Sequence, residues 1–202
     1  NGATRPNPAG SRPDLGAYEN EGGIGAPVLT AISSESGLVN LTWEVTTPTA
    51  VDSIYLYKGT SPNPTTLYKK IARTSSFSDT ENTTRNDTLY YRLVAKTPGN
   101  LVSSYSNELK TIAHSAPTLL APATNSTKNS KTPRLTWAKV PKSTSYRVQI
   151  ATTDNFSAPA FNAVVTDTLY QSPELRTNTT YFWRVRVEST NPVRSSAWSS
   201  TS

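Results

Sequence analysis

Catalysis needs an acid, a base, a nucleophile or a metal ligand held close to a second such group, and this 202-residue sequence offers few of them. There is a single histidine, His114, and no cysteine, which excludes disulfides, thiolate metal sites and cysteine nucleophiles. His114 stands in a short stretch between two strand-rich regions and has no partner motif, so a solvent-facing position is expected for it. Asp52, Asp79, Asp87, Asp154 and Asp167 stand singly near expected strand ends, where a carboxylate caps a turn or meets water. They form no dense oxygen cluster of the kind calcium requires. A Gly-rich phosphate loop, a Ser elbow and a paired metal-ligand motif are all missing from the sequence. No enzyme activity and no cofactor are therefore expected. The side chains left for contact with another molecule are aromatic and cationic ones at alternate positions: Tyr55, Tyr57, Tyr90 and Arg92 in the first half, and Phe182, Arg184, Arg186 and Trp198 in the second.

The elements that must carry these residues follow from period-2 patterning. The first half reads Val39-x-Leu41-x-Trp43, Ile54-x-Leu56, Phe77 and Leu89-x-Tyr91-x-Leu93-x-Ala95. The second reads Leu135-x-Trp137, Tyr146-x-Val148-x-Ile150 and Tyr181-x-Trp183-x-Val185-x-Val187, in the same order and at similar spacing. Alternate side chains of a strand share a face, so each set lines one side of a sheet while Thr42, Tyr55, Arg92, Arg147 and Arg184 point out. Two sheets closing over such faces make a sandwich, with Trp43 and Trp137 as its central plugs. Pro27 and Pro117 each lead into one of these repeats, which gives two all-β domains at 25–113 and 117–202 with a linker at 114–116. Residues 1–24 are rich in Gly, Pro and Asn and too short to bury a core.

Composition agrees. Hydrophobic residues make up 35% and charged residues 17%, and Ser, Thr and Asn are abundant, which suits short strands and turns. No apolar run reaches the about 18 residues of a membrane span. The net charge of +6 is scattered over strands without a nucleic-acid-binding motif, so nucleic acid is not an expected partner.

Leu41-Thr42-Trp43, Ile54-Tyr55-Leu56-Tyr57, Ser76-Phe77-Ser78-Asp79-Thr80 and Tyr90-Tyr91-Arg92-Leu93-Val94-Ala95 resemble a bacterial fibronectin type III domain. In the second half, Leu175 to Val185 resembles that family's E–F corner and strand F, which implies that the Tyr181 hydroxyl bonds back to nearby backbone. The first half has Leu89 at the matching position, so no such corner is expected there. The resemblance implies that strands C and F are neighbours, which sets Tyr55, Tyr57, Tyr90 and Arg92 on one outer face, either packed across strands with Lys58 or forming an exposed strip. It also implies that Trp198, within Ser195-Ser196-Ala197-Trp198-Ser199, stacks on Arg184 and Arg186 in an Arg–Trp ladder of structural character, and that the last strand is cut short. Gly10 to Glu19 resembles the closing segment of right-handed parallel β-helix domains of large exported bacterial proteins; a plain Gly/Pro linker is the alternative. Asp52-Ser53-Ile54, Asp87-Thr88-Leu89 and Asp167-Thr168-Leu169 resemble O-glycan acceptor sites of exported Bacteroidetes proteins.

These readings point to a monomeric, secreted or cell-surface spacer or interaction module, part of an adhesin or of an extracellular polysaccharide-active enzyme. The remainder of the parent polypeptide is its first partner, and a polysaccharide or a surface protein is a second. A carbohydrate-binding module that uses the tyrosine strip is the alternative.

Overall fold

The computed structural model describes residues 24–46, 50–81, 86–127, 129–190 and 193–202. The segment from Gly10 to Glu19, read above as a β-helix tail or linker, lies outside them. Among the described residues the chain is all-β, an immunoglobulin-like arrangement of paired sheets without helices. The first half holds β1 (Val28–Glu35), β2 (Leu38–Glu44), β3 (Ser53–Gly59), β4 (Leu67–Ala72), β5 (Ser76–Asp79), β6 (Thr88–Lys96) and β7 (Leu109–Ile112). The second half holds β8 (Leu119–Ala121), β9 (Arg134–Trp137), β10 (Tyr146–Ala151), β11 (Phe161–Val165), β12 (Leu169–Gln171), β13 (Phe182–Thr190) and β14 (Val193–Ser195).

In the first half, β5-β2-β1 faces β4-β3-β6-β7; in the second, β12-β9-β8 faces β11-β10-β13-β14. The alternation read from the sequence is what closes each pair. Val39, Leu41 and Trp43 of β2 meet Ile54 and Leu56 of β3 and Leu89, Tyr91, Leu93 and Ala95 of β6 in one core, which Ile24 also joins. Leu135, Trp137, Tyr146, Val148, Ile150, Trp183, Val185 and Val187 form the other. Trp137 packs edge-on against Tyr146 at 5.4 Å, and the Tyr146 hydroxyl accepts the Val140 N–H at 2.9 Å. The β1–β2 hairpin turns on Ser36 and Gly37, both at positive φ (52° and 83°), the requirement of a two-residue turn that matches strand twist.

One strand-end carboxylate departs from expectation. Asp79 does not meet solvent: it is fully buried, and its oxygens accept hydrogen bonds from Tyr68 Oη at 2.8 Å, Tyr91 Oη at 2.7 Å and the Glu81 N–H at 3.0 Å. The Lys58 ammonium sits 2.8 Å away and also lies over the Tyr68 ring at 4.2 Å. Burial works to raise the Asp79 pKa, but the Lys58 ammonium and the donated hydrogen bonds outweigh it and hold the carboxyl below its ordinary value. Burial and the adjacent carboxylate push the Tyr68 hydroxyl far upward. The β2–β5 edge is thus tied to β3 by an ion pair and to β6 and β4 by tyrosine hydrogen bonds rather than by apolar contact alone.

Trp43→Ala and Trp137→Ala should each destabilise their own sandwich by about 3–5 kcal/mol, comparable to the stability of a small domain; an unchanged melting transition in either variant would show that the tryptophan is not a core plug. Asp79→Ala strands Lys58 beside two phenols and should cost the first sandwich a similar ~3–5 kcal/mol. Because the folded-state pKa of Asp79 is depressed, its contribution is complete above the unfolded value near 4 and is lost as pH falls below it. Acid titration of the melting temperature should therefore show a fall in the first transition below about pH 4 that Asp79→Ala flattens.

Candidate functional site

Three places gather polar or aromatic side chains beyond what the cores need: the outer face of β10 and β13, the outer face of β3 and β6, and the junction between the sandwiches.

On the second sandwich, period 2 puts Arg184, Arg186 and Glu188 of β13 on the outer face, opposite Gln149 and Arg147 of β10. Trp198 arrives from the next edge, its ring 4.2 Å from the Arg184 guanidinium and 4.7 Å from that of Arg186. Phe156 covers Arg184 at 4.1 Å. Gln149 Oε1 accepts two hydrogen bonds from Arg184 at 2.9 and 2.8 Å. Glu188 receives Arg147 at 2.6 Å through two nitrogens, and Arg186 at 2.7–2.9 Å. The Arg147 guanidinium holds the Glu188 carboxyl below its usual range against the opposing effect of burial. The row Phe156–Arg184–Trp198–Arg186–Glu188–Arg147 is thus a continuous ladder whose cations are stacked and hydrogen-bonded. Tyr181 lies at the foot of β13, where its hydroxyl accepts the Arg176 N–H at 3.3 Å, the backbone contact that the corner motif implies.

What delivers Trp198 is a serine spacing that sequence reading passed over. Ser196 and Ser199 each bond twice to β13: Ser196 N to Val187 O at 3.1 Å and Val187 N to Ser196 Oγ at 3.0 Å, then Ser199 N to Val185 O at 2.8 Å and Val185 N to Ser199 Oγ at 3.1 Å. Ser202 continues with Trp183 through backbone bonds of 2.8 and 3.2 Å. The segment after β14 runs beside β13 as far as Trp183. A strap that advances three residues for every two of β13 cannot match its backbone donors one to one, and serine hydroxyls take up the N–H groups left over.

The first sandwich repeats the device. Ser103 and Ser106 bond to Ala95 and Leu93 of β6 in the same double fashion, at 2.8–3.0 Å. Ser103-Ser104-Tyr105-Ser106 matches Ser196-Ala197-Trp198-Ser199, and Tyr105 does what Trp198 does: its ring lies 3.5 Å from the Arg92 guanidinium and edge-on to Tyr57 at 5.0 Å. Arg92 also donates to Pro64 O at 2.7 Å. Tyr57 and Arg92 are therefore held in a short ladder of their own, not left open in a strip. Burial and the neighbouring Tyr105 raise the Tyr57 pKa.

Tyr55 and Tyr90 stay on that face outside the short ladder, each under cations. Lys70 lies 5.2 Å and Lys96 5.4 Å from the Tyr55 ring, and Lys96 Nζ donates to the Tyr55 hydroxyl at 3.2 Å. That bond to the ammonium lowers the Tyr55 pKa. Lys110 lies 5.9 Å from the Tyr90 ring.

The junction revises the expected solvated histidine. His114 is only 3% exposed. The linker beside it is tied to the first sandwich by Asn86, whose backbone N–H donates to Ala113 O at 3.2 Å and whose side chain accepts the Ser115 N–H at 2.9 Å. Across the join, β1 pairs in parallel with β14 at Ser34 and Arg194, and the Ser36 N–H donates to Ser195 Oγ at 3.2 Å. One sheet therefore runs through both halves, β11-β10-β13-β14-β1-β2-β5. Burial, followed by the Arg194 charge and more weakly the Lys142 charge, lowers the His114 pKa, with a hydrogen bond to the Pro141 carbonyl opposing. Burial also lowers that of Arg194.

A cleft of about 830 Å³ opens at the end of the second sandwich, between the loop around Asn125 and Lys131 and the corner around Arg176 and Tyr181, with Trp183 at its floor. Among the described residues no three His, Cys, Asp or Glu side chains come together in a way that could hold a metal ion.

Residues 124–202 match the family model described as the Rha78A-like, N-terminal immunoglobulin domain. No curated protein matches the chain. Among solved structures, a β-1,2-glucanase from Parabacteroides distasonis is similar over 45% of this chain and 13% of its own, at 13% identity and a TM-score of 0.40. Pectate lyase PelI from Erwinia chrysanthemi is similar over 43% of this chain and 27% of its own, at 20% identity and a TM-score of 0.38. The same lyase in complex with tetragalacturonic acid gives 21% identity and a TM-score of 0.38 over 43% of this chain and 28% of its own. The matched part of this chain thus spans well under a third of these structures.

Proposed function

We propose that this chain is a non-catalytic connector of a larger exported protein: two immunoglobulin-like sandwiches that act as a monomer and hold flanking parts of the polypeptide at a set angle. The parallel pairing of β1 with β14 carries this reading. A spacer whose domains tumble independently needs only a soluble linker, whereas here the linker is bonded to the first sandwich through Asn86 and the two halves share a sheet. Intramolecular domain interfaces are by default mobile, so a buried His114 and the pairing of buried Ser34 with half-buried Arg194 at the join favour a fixed angle. The match of 124–202 to a domain described as N-terminal to something else supports the accessory role. The ladders fit it too, because they stiffen the outer faces of β6 and β13 with cation–π stacking, about 0.5–2 kcal/mol per contact.

At neutral pH, residual dipolar couplings from the two sandwiches should fit a single alignment tensor; two unrelated tensors would defeat the connector reading. His114 is buried neutral beside Arg194, so its folded-state pKa is depressed and the junction is favoured fully only above the free imidazole value near 6.5. As pH falls below it, the separated state takes up the proton first and the junction weakens. The shared tensor should then split progressively on acidification, and His114→Gln should remove that pH dependence.

A further inference from the structure

We propose that the outer face of β3, β4, β6 and β7 binds a carboxylated or sulfated polysaccharide through Lys70, Lys96 and Lys110, which stand over Tyr55 and Tyr90. This goes beyond the connector role, which requires no ligand.

The two sandwiches treat the same face differently, and the difference is one of charge. On the second, Arg147 and Arg186 are paired with Glu188, and Arg184 is bonded to Gln149 and stacked on both sides. Half-buried Lys58 of the first sandwich likewise has Asp79. Lys70, Lys96 and Lys110 have no such partner: among the described residues none of the three is paired with a carboxylate. Glu108, the acid nearest in sequence to Lys110, accepts the Asn63 N–H instead. Lys70 and Lys96 both crowd the Tyr55 ring. An exposed cation–π contact contributes only about 0.5–1 kcal/mol, and two like charges that approach the same ring from the strands on either side of β3 repel each other. An anion spanning the two ammonium groups would relieve that repulsion.

The same geometry decides which ligand fits. A neutral sugar or a nucleic-acid base stacking on Tyr55 would compete with Lys70, 5.2 Å from the ring centre, and with Lys96, bonded at the hydroxyl, since stacking needs an open aromatic face. An anionic sugar leaves the lysines where they are and pairs with them. Lys70, on β4, and Lys110, on β7, are three inter-strand steps apart, about 14 Å across the sheet, and are offset along it by the four residues from Tyr90 to Val94, about 13 Å, which separates them by about 20 Å. Tyr90 and Lys96 stand six residues apart on β6, about 20 Å. The footprint is that of several linked sugar rings rather than one small anion.

The test is affinity electrophoresis of the full chain at low ionic strength through gels carrying polygalacturonate, dextran sulfate or neutral dextran, with single-stranded DNA as competitor. Three lysine changes on this face, Lys70→Gln, Lys96→Gln and Lys110→Gln, are combined in one variant; Lys131→Gln, Lys139→Gln and Arg176→Gln, on the second sandwich, make a control of equal net charge. Arg92 is left intact because Tyr105 and Tyr57 depend on it. The expected result is retardation by at least one of the two polyanions but not by dextran. It should be weakened about tenfold in the first variant, as the sum of several small screened ion pairs, and little changed in the control. Retardation by polygalacturonate alone or by dextran sulfate alone assigns the anionic group. Absence of retardation by both polyanions, equal retardation by dextran, equal loss in the control, or tighter binding of DNA than of either polysaccharide overturns the proposal. Melting curves of both variants confirm that they are folded.

Discussion

The central strand of each sandwich, β6 in one and β13 in the other, has to be satisfied on four sides at once, and the rest of the architecture answers that demand. Each strand buries one face completely, at Leu89, Tyr91, Leu93 and Ala95 or at Trp183, Val185 and Val187. Each pairs along one edge with a full partner, β3 or β10. The other edge is the weak point, because regular pairing covers only part of it: β7 reaches Tyr91 and β14 reaches Glu188. A buried backbone amide without a partner is costly, and the serine straps remove that cost by offering Oγ acceptors to Ala95, Leu93, Val187 and Val185. The outer face is then closed by whichever aromatic residue the strap carries outward, Tyr105 or Trp198. Edge, face and ladder are consequences of one problem, solved twice with the same spacing.

The junction is where the two solutions meet. β14 is both the start of the second strap and the strand that pairs with β1, so the element that completes one sandwich also extends the sheet of the other. Sheet edges are the natural sites of unplanned pairing, and here the edges of β1 and β14 are spent on each other. The Ser36-Gly37 turn serves the same end, since its tight reversal leaves the Ser36 N–H free for Ser195. At this interface Ser34 pairs with Arg194 and His114 is withdrawn from solvent.

Much of the fold was legible in the sequence because it rests on alternation. Every residue of the Val39-x-Leu41-x-Trp43, Leu89-to-Ala95 and Tyr146-x-Val148-x-Ile150 patterns is buried, and Trp198 lies against both arginines that alternation put on its face. What escaped is non-periodic. Ser103, Ser106, Ser196 and Ser199 are visible at a spacing of three, but in a serine-rich chain that spacing carries no contrast, and only the match of Tyr105 to Trp198 would have singled it out. Asp79 reads as a turn carboxylate because the groups that bury it, Lys58, Tyr68 and Tyr91, come from three other strands. His114 reads as solvated because a linker position says nothing about the opposing domain. Tyr105 escaped as the partner of Tyr57 and Arg92 because it lies in a segment with no strand pattern.

The difference between the two outer faces follows from which aromatic residue the strap delivers. An indole is wide enough to touch two guanidinium groups, so Trp198 orders Arg184 and Arg186 together and draws Glu188 into the row. The single ring of Tyr105 stacks on Arg92 and turns its edge to Tyr57. The ladder of the first sandwich is correspondingly short: where the second carries Arg186 and Glu188 the first carries Val94 and Lys96, and further lysines lie on β4 and β7. That exchange alters more than charge count. Lysine is a strongly hydrated point charge on a flexible stem, while the arginine fork is held by planar stacking and paired hydrogen bonds. A face built from stacked arginines is internally complete. One built from lysines perched on tyrosine rings keeps its ammonium groups exchangeable, and an exchangeable cation array is what a polyanion can engage without dismantling the structure beneath it.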